Sequence, residues 1–248
     1  MATYPALCIT LQCRRLREAD RVLTLFSRER GKIEAVVKGV GKPKSKLTPC
    51  TQIFSLNRLL LAEGKSLDVV AQVQVVEPFF SIREDVRRMA WASYVVELVA
   101  KTSEPAQSSP ELFELLRGAL AELAKGTEPE LIARAFEVKA LALLGYGLDA
   151  EYCGACGGEL SGEGLAFSAP DGAFYCERCK GSRQGIGLCA GTLRTLVALK
   201  RTPIERASRL SLPPQIRAEL RRILRAHADY HVGVRLRSLE FIQQLDQA

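Results

Sequence analysis

Two pairs of cysteines constrain the fold of this 248-residue chain more than any other feature. The pairs are Cys153-Gly-Ala-Cys156 and Cys176-Glu-Arg-Cys179, with nineteen residues between them. Thiolates at this spacing can reach one tetrahedral ion from a tight turn, and two facing turns form a closed site. The sequence therefore predicts one structural Zn²⁺ per chain, held by Cys153, Cys156, Cys176 and Cys179. Two disulfides, or two unrelated redox pairs, are the alternative interpretation.

The composition is that of an ordinary globular protein, with 47% apolar and 25% charged residues. The first residues contain no basic segment followed by an apolar stretch, so we expect no secretory signal. The apolar stretch 89–100 is short and contains Glu97, so we expect no membrane span. These features indicate the reducing cytoplasm. There, the cysteines outside the two pairs would be small core residues, namely Cys8, Cys13, Cys50 and Cys189.

The net charge of +7 is concentrated at the two ends of the chain. Residues 1–80 carry 13 Lys/Arg against 7 Asp/Glu, and residues 183–248 carry 12 against 5. The segments 81–150 and 151–182 are each net −3. A polyanion would be drawn to the basic ends, and nucleic acid is the most common such partner. The alternative is that these charges only keep a basic protein in solution.

Hydrophobic periodicity divides the chain into strands and helices. Before residue 80, period-two or apolar runs predict about five strands, at 7–11, 22–26, 33–37, 53–61 and 67–75. Five short antiparallel strands either close into a barrel or leave sheet edges without hydrogen-bond partners, so we expect a barrel. The number of strands favours an OB-type barrel over an SH3-like one. After Pro78 the period changes to 3.6 and predicts helices at 82–101, 110–125, from 129, 191–201 and 214–245, the last broken near Gly233.

The predicted fold class is therefore α+β and multidomain. A five-stranded OB-type barrel occupies residues 1–80 and a loop-rich segment with the four-cysteine zinc site occupies residues 151–182. An α-helical body is formed in two parts, by residues 81–150 and 183–248.

Three basic segments are candidate nucleic-acid contacts. Segment 38–46 contains four lysines with Gly and Pro, and segment 14–17 lies in the other predicted barrel loop. The seven cations of these loops suit a phosphate backbone: Arg14, Arg15, Arg17, Lys38, Lys42, Lys44 and Lys46. Near the C-terminus, Arg217, Arg221 and Arg225 form one helical stripe of like charges. These charges repel one another, and an anionic ligand would reduce the repulsion. Solvated surface charges are the alternative in each case.

No catalytic constellation is evident. The two histidines, His227 and His231, stand four residues apart but lack a third ligand and the glutamate of H-E-x-x-H. A packing or surface role is favoured for them. The cysteine pairs also lack the glutamate and proline of zinc deaminases. We therefore predict a non-enzymatic protein without a small-molecule substrate.

Four blocks of sequence, in order along the chain, resemble the RecO family of bacterial DNA repair proteins, which are recombination mediators. The resemblance covers nearly the full length. The first block is 17–26 with Arg30-Gly31-Lys32, and the second is 38–45. The third is Leu144-Gly145-Tyr146-Gly147-Leu148, with Phe167 and Asp171-Gly172 further along the chain. The fourth is 235–239. Some members lack the cysteines, whereas this chain has all four.

The resemblance implies an OB-fold, a helical body and a zinc-ribbon-like insert. It also implies binding of single- and double-stranded DNA, annealing of complementary strands, and partnership with RecR in loading RecA. Single-strand-binding protein is a further implied partner, and the implied location is the bacterial cytoplasm, at the nucleoid. An RNA- or transcription-associated adaptor that combines an OB barrel with a zinc ribbon is the alternative function.

Overall fold

The computed structural model describes residues 2–42, 45–126, 128–181, 185–231, 233 and 236–247. Lys44 and Arg235 lie outside the described residues. The chain forms two compact units. The first unit comprises Met1–Pro129 and Leu236–Ala248, and the second comprises Glu130–Arg235. The domain boundaries drawn from the sequence at residues 80, 150 and 182 stay a prediction.

The first unit contains the predicted five-stranded barrel. Its strands are β1 (Thr3–Arg15), β2 (Arg21–Ser27), β3 (Gly31–Val37), β4 (Leu56–Ala62) and β5 (Asp68–Glu77). They close in the order β1-β2-β3-β5-β4. Neighbouring strands are antiparallel, except that β3 and β5 pair in parallel through Ala35–Asp68 and Val36–Val69. The OB-type barrel and the α+β class are thereby confirmed.

Two details of the barrel differ from the prediction. The strand expected from residue 53 begins at Leu56, because Phe54 has a left-handed backbone (φ 75°) that turns the chain. The alternation expected along 67–75 is also interrupted. A register shift opposite Leu60 and Leu61 places Val70 in the barrel core, and Val75 is 39% exposed near the end of β5.

Helices and a small sheet make up the rest of the described chain. The helices are α1 (Val86–Thr102), α2 (Pro110–Lys125), α3 (Pro129–Leu143), α4 (Glu177–Lys180), α5 (Ala190–Arg201), α6 (Pro214–His231) and α7 (Arg237–Gln247). The sheet, in the order β7-β6-β8, consists of β6 (Leu165–Ser168), β7 (Ala173–Tyr175) and β8 (Ile186–Leu188). The break predicted near Gly233 is confirmed, since α6 ends before it and α7 begins after it.

Side-chain caps explain where two helices of the first unit begin. The helix predicted from residue 82 starts at Val86, because Asp85 is extended and accepts a hydrogen bond from the Arg88 N–H (2.8 Å). At the start of α7, Glu97 of α1 accepts the N–H groups of Arg237 (3.0 Å) and Ser238 (2.9 Å). These bonds attach the C-terminal helix to α1 within the first unit.

In the second unit, α6 packs against α5 and against β8 of the small sheet. Glu219 of α6 accepts hydrogen bonds from the Cys189 N–H (2.9 Å) and the Thr192 hydroxyl (2.5 Å), and so caps the start of α5. Cys189 is half-buried at this cap, whereas Cys8 and Cys50 are fully buried in the barrel. None of the helices in the described ranges combines the length and apolarity that a bilayer span requires.

Candidate metal centre and nucleic-acid interface

The two cysteine pairs meet at one point of the second unit. The Sγ atoms of Cys153, Cys156, Cys176 and Cys179 all lie within 4.8 Å of one another. Four thiolates around a tetrahedral ion at ~2.3 Å would be about 3.8 Å apart, so the cluster has the right size for zinc. All four positions of such an ion are taken by sulfur. The site therefore suits a structural ion and offers no place for a substrate.

Each cysteine pair sits on a tight turn that its own backbone closes. At the first pair, Gly157 N–H donates to the Cys153 carbonyl (2.9 Å), and Gly157 itself has φ +66°, a conformation that favours glycine. At the second pair, Cys179 N–H donates to the Cys176 carbonyl (3.0 Å) at the start of α4. Gly154 N–H donates to the Phe174 carbonyl (2.9 Å), which joins the first turn to β7.

The thiols of the cluster do not ionise alike. Burial raises the pKa of Cys153, but hydrogen bonds from the backbone at Cys156, Cys176 and Ala155 outweigh it and bring the pKa to about 6. Hydrogen bonding to Cys176 and Cys156, with burial, raises the pKa of Cys179 to about 12. Four crowded thiols cannot all lose their protons without a cation among them. A divalent ion supplies the charge that stabilises four thiolates together.

The two basic loops of the barrel lie against each other. Gly41 N–H donates to the Ala19 carbonyl (3.1 Å), and Gly39 N–H donates to the Asp20 carboxylate (2.9 Å). The described side chains of the predicted set are exposed around this contact: Arg14, Arg15, Arg17, Lys38, Lys42 and Lys46. Arg14 and Arg15 lie at the end of β1 rather than in the loop. We call this surface the basic loop pair.

A polar groove lies on the outside of the barrel in the first unit. It has a volume of about 480 Å³ and is lined in part by Gln12, Thr24 and Glu34, which stand side by side across β1, β2 and β3. Arg14 follows Gln12 on the same face of β1 and approaches Glu34 (3.9 Å). The groove therefore leads along the sheet to the basic loop pair.

The arginine stripe of α6 is partly neutralised within the second unit. Glu130 of α3 pairs with Arg221 (2.9 Å) and approaches Arg217 (3.9 Å). Arg225 approaches Asp229 (3.6 Å), one turn further along α6. Carboxylates of the chain thus offset the repulsion among these arginines. The repulsion therefore does not require an anion from another molecule. A role in DNA binding stays a prediction for these three arginines.

Comparison with known proteins assigns the family. Residues 1–79 match the family model described as Recombination protein O N terminal, and residues 83–240 match Recombination protein O C terminal. The chain belongs to the RecO family. It is 39% identical to DNA repair protein RecO of Pelotomaculum thermopropionicum, over 100% of this chain and 96% of the relative. It is 35% identical to DNA repair protein RecO of Symbiobacterium thermophilum, over 100% of both chains.

A family segment, 144–148, ends α3 with a tight cap. Gly145 has φ +87°, Tyr146 N–H donates to the Leu141 carbonyl (2.8 Å), and Gly145 N–H donates to Ala142 (3.2 Å). This cap fixes the Tyr146 carbonyl, which accepts a hydrogen bond from His227 Nε2 (2.8 Å). Burial lowers the pKa of His227, so its ring is held neutral at neutral pH.

His231 holds a second family segment in the same way. Its Nε2 donates to the Ala169 carbonyl (2.8 Å) in the turn between β6 and β7, where Asp171 and Gly172 lie. The rings of His227 and His231 are 4.6 Å apart. The two histidines therefore have the packing role favoured from the sequence, and they tie the α3 cap and the β6–β7 turn to α6.

We expect Gly172→Ala to lower the free energy of unfolding by about 2 kcal/mol or more. Gly172 has φ +61°, which costs an L-residue about 1–2 kcal/mol, and a Cβ atom there would lie 3.0 Å from His231 Nε2. Gly162→Ala is the matched control, because Gly162 has φ +81° and its Cβ would meet nothing within 4 Å. Urea unfolding of both variants measures the difference. Equal losses would show that the His231 contact contributes nothing.

Proposed function

We propose that this protein is a non-enzymatic DNA-binding mediator of recombinational repair. It binds single- and double-stranded DNA, anneals complementary strands and, with RecR, assists the loading of RecA. Single-strand-binding protein is a further partner, and the work takes place in the bacterial cytoplasm at the nucleoid. The membership of the RecO family supports the repair role, and the chemistry of the barrel surface supports DNA as the ligand.

The observation that carries this proposal is the contact between the two basic loops. Hydrogen bonds at Gly39 and Gly41 bring six described cations to one region of an OB-type barrel. These side chains are exposed, so phosphates can reach them without a rearrangement of the core. The polar groove across β1, β2 and β3 gives the strand a path to the loops. Backbone contacts of this kind bind nucleic acid without reading its sequence.

Annealing follows from the same electrostatics. Two complementary strands repel each other through their phosphates, and a cationic surface that neutralises part of this charge lets them approach. Catalytic groups are not needed for this step. In this proposal the zinc site only holds the fold of the second unit, since a four-cysteine ion has no open position.

The test is a salt series with complementary oligonucleotides. If about four to six phosphates are neutralised, the logarithm of single-strand affinity should fall against the logarithm of salt concentration with a slope of roughly −3 to −4. The protein should also accelerate annealing, and should bind DNA more tightly than RNA of equal length. Equal or tighter RNA binding without annealing would favour the RNA-associated adaptor instead. RecR addition and RecA filament assembly on coated DNA test the partners separately.

A further inference from the structure

Three aromatic rings form a cluster on the surface of the second unit. The ring of His231 lies between two tyrosines, 6.5 Å from Tyr146 and 5.1 Å from Tyr230. The tyrosines are 40% and 59% exposed, respectively. His231 is half-buried. We call this group the tyrosine–histidine cluster.

Contacts on the buried side of the cluster constrain its position. His231 is hydrogen-bonded to the Ala169 carbonyl, and the Tyr146 backbone is fixed by the α3 cap and by His227. Beneath it, the buried ring of Phe167 is 6.0 Å from that of His227. The His231 ring at the centre of the cluster is thus held by a hydrogen bond, and it loses little conformational freedom when a flat ligand stacks on the group. The exposed faces are therefore a ready surface for planar groups.

Positive charge lies on the same helix. Arg222 and Arg225 are exposed on α6, eight and five residues before Tyr230, and at 3.6 residues per turn only Arg222 lies within about a quarter turn of it around the helix. Asp229 offsets part of the charge of Arg225 (3.6 Å), whereas Arg222 has no carboxylate partner within the described ranges. Aromatic rings beside cations are the chemistry that binds single-stranded nucleic acid, because bases stack on rings and phosphates pair with arginine. Duplex DNA keeps its bases stacked internally and cannot use such rings.

We infer that the tyrosine–histidine cluster is a stacking platform for unpaired bases of single-stranded DNA, with Arg222, about two turns along α6, as its phosphate contact. This inference rests on the proposed DNA-binding function but assigns a different chemistry to a different surface. The basic loop pair binds the backbone alone, whereas the cluster needs bases. A strand whose bases are held outward on Tyr146 and Tyr230 is open to pairing with a complementary strand.

The test compares two ligands with equal numbers of phosphates. One is an oligothymidylate of about 20 nucleotides, longer than one strand-binding site, and the other is an abasic strand of the same length. The unmodified protein should prefer the strand with bases by on the order of tenfold, the value typical of one or two stacked bases. Tyr230→Ala should remove most of that preference and leave abasic binding unchanged, whereas Tyr230→Phe should keep it. Tyr152→Ala is the matched control, because Tyr152 is a similarly exposed tyrosine of the same unit outside the cluster.

A fluorescent variant gives a second measurement. Trp91 is the one tryptophan of the chain and is buried, so Tyr230→Trp adds an exposed reporter to a constant background. Its emission should be quenched by oligothymidylate but not by the abasic strand or by duplex. An unchanged preference in Tyr230→Ala together with an unquenched reporter would overturn the inference and leave the cluster as a surface for a protein partner. Failure of the proposed function would give a different result, because the unmodified protein would then bind neither the oligothymidylate nor the abasic strand.

Discussion

Charge reversal of the basic loop pair is expected to weaken single-strand binding at least tenfold at about 50 mM salt. The variant carries Lys38→Glu, Lys42→Glu and Lys46→Glu, three exposed side chains beside the contact between the loops. Each lost phosphate contact should flatten the salt slope by about 0.7, so the three together flatten it by about 2. All sequences should be affected alike, because phosphate contacts carry no sequence information. Fluorescence anisotropy across a salt series measures both effects.

The control for this variant must change the net charge equally at another place. Lys65, Arg87 and Arg206 are exposed residues outside the basic loop pair, and reversing all three gives the same change of charge. We expect this control to retain most of the affinity. Circular dichroism shows whether each protein is folded. A loop variant that is folded and binds single strands like its parent at low salt would show that the DNA lies elsewhere.

Loss of the metal site should cause the largest change in stability. In Cys176→Ser the cluster keeps three sulfurs, and we expect the zinc content to fall well below one ion per chain. Zinc binding contributes about 10–16 kcal/mol in small zinc-dependent folds, which is the upper limit for the loss here. The segment around β6, β7 and α4 should therefore open. Metal analysis and limited proteolysis measure the two effects.

Cys189→Ser is the matched control for the metal site. Cys189 is a half-buried cysteine of the same unit that lies outside the four-cysteine cluster, so zinc should be retained. Single-strand binding by the basic loop pair should persist in Cys176→Ser, because the barrel belongs to the first unit. A protein that keeps one zinc and its full stability after Cys176→Ser would contradict the assignment of the ligands.

Local patterns made the barrel and the four-cysteine cluster predictable. The cysteine pairs are close in sequence, and two tight turns suffice to orient each pair. Period-two alternation likewise indicates which side of a strand is buried, even when the neighbouring strands are not known. The prediction failed where backbone conformation broke the alternation, at the left-handed Phe54 and at the register shift that buries Val70.

Long-range contacts account for what the sequence did not reveal. Glu130 neutralises Arg221 from a position 91 residues earlier in the chain, and no periodicity connects the two. The tyrosine–histidine cluster also combines two distant segments, with Tyr146 after α3 and Tyr230 in α6. The contact between the two basic loops of the barrel was predictable only in part. The sequence identified two basic segments in predicted barrel loops, but the hydrogen bonds of Gly39 and Gly41 that bring the loops together became visible only in the fold.

The parallel pairing of β3 with β5 determines how a protein partner can recognise the barrel. This pairing closes the ring of strands through only two residue pairs, so within the described barrel an extended peptide could add as a further strand only to β3 before Ala35 or to β5 after Val69. A partner that binds elsewhere on the barrel must use side chains and loops, so single substitutions can disrupt its binding. In the second unit, β7 and β8 are the outer strands of the small sheet, and the Phe174 carbonyl of β7 already accepts the Gly154 N–H (2.9 Å). Each is only three residues long, so recognition by backbone pairing there would be brief and weak.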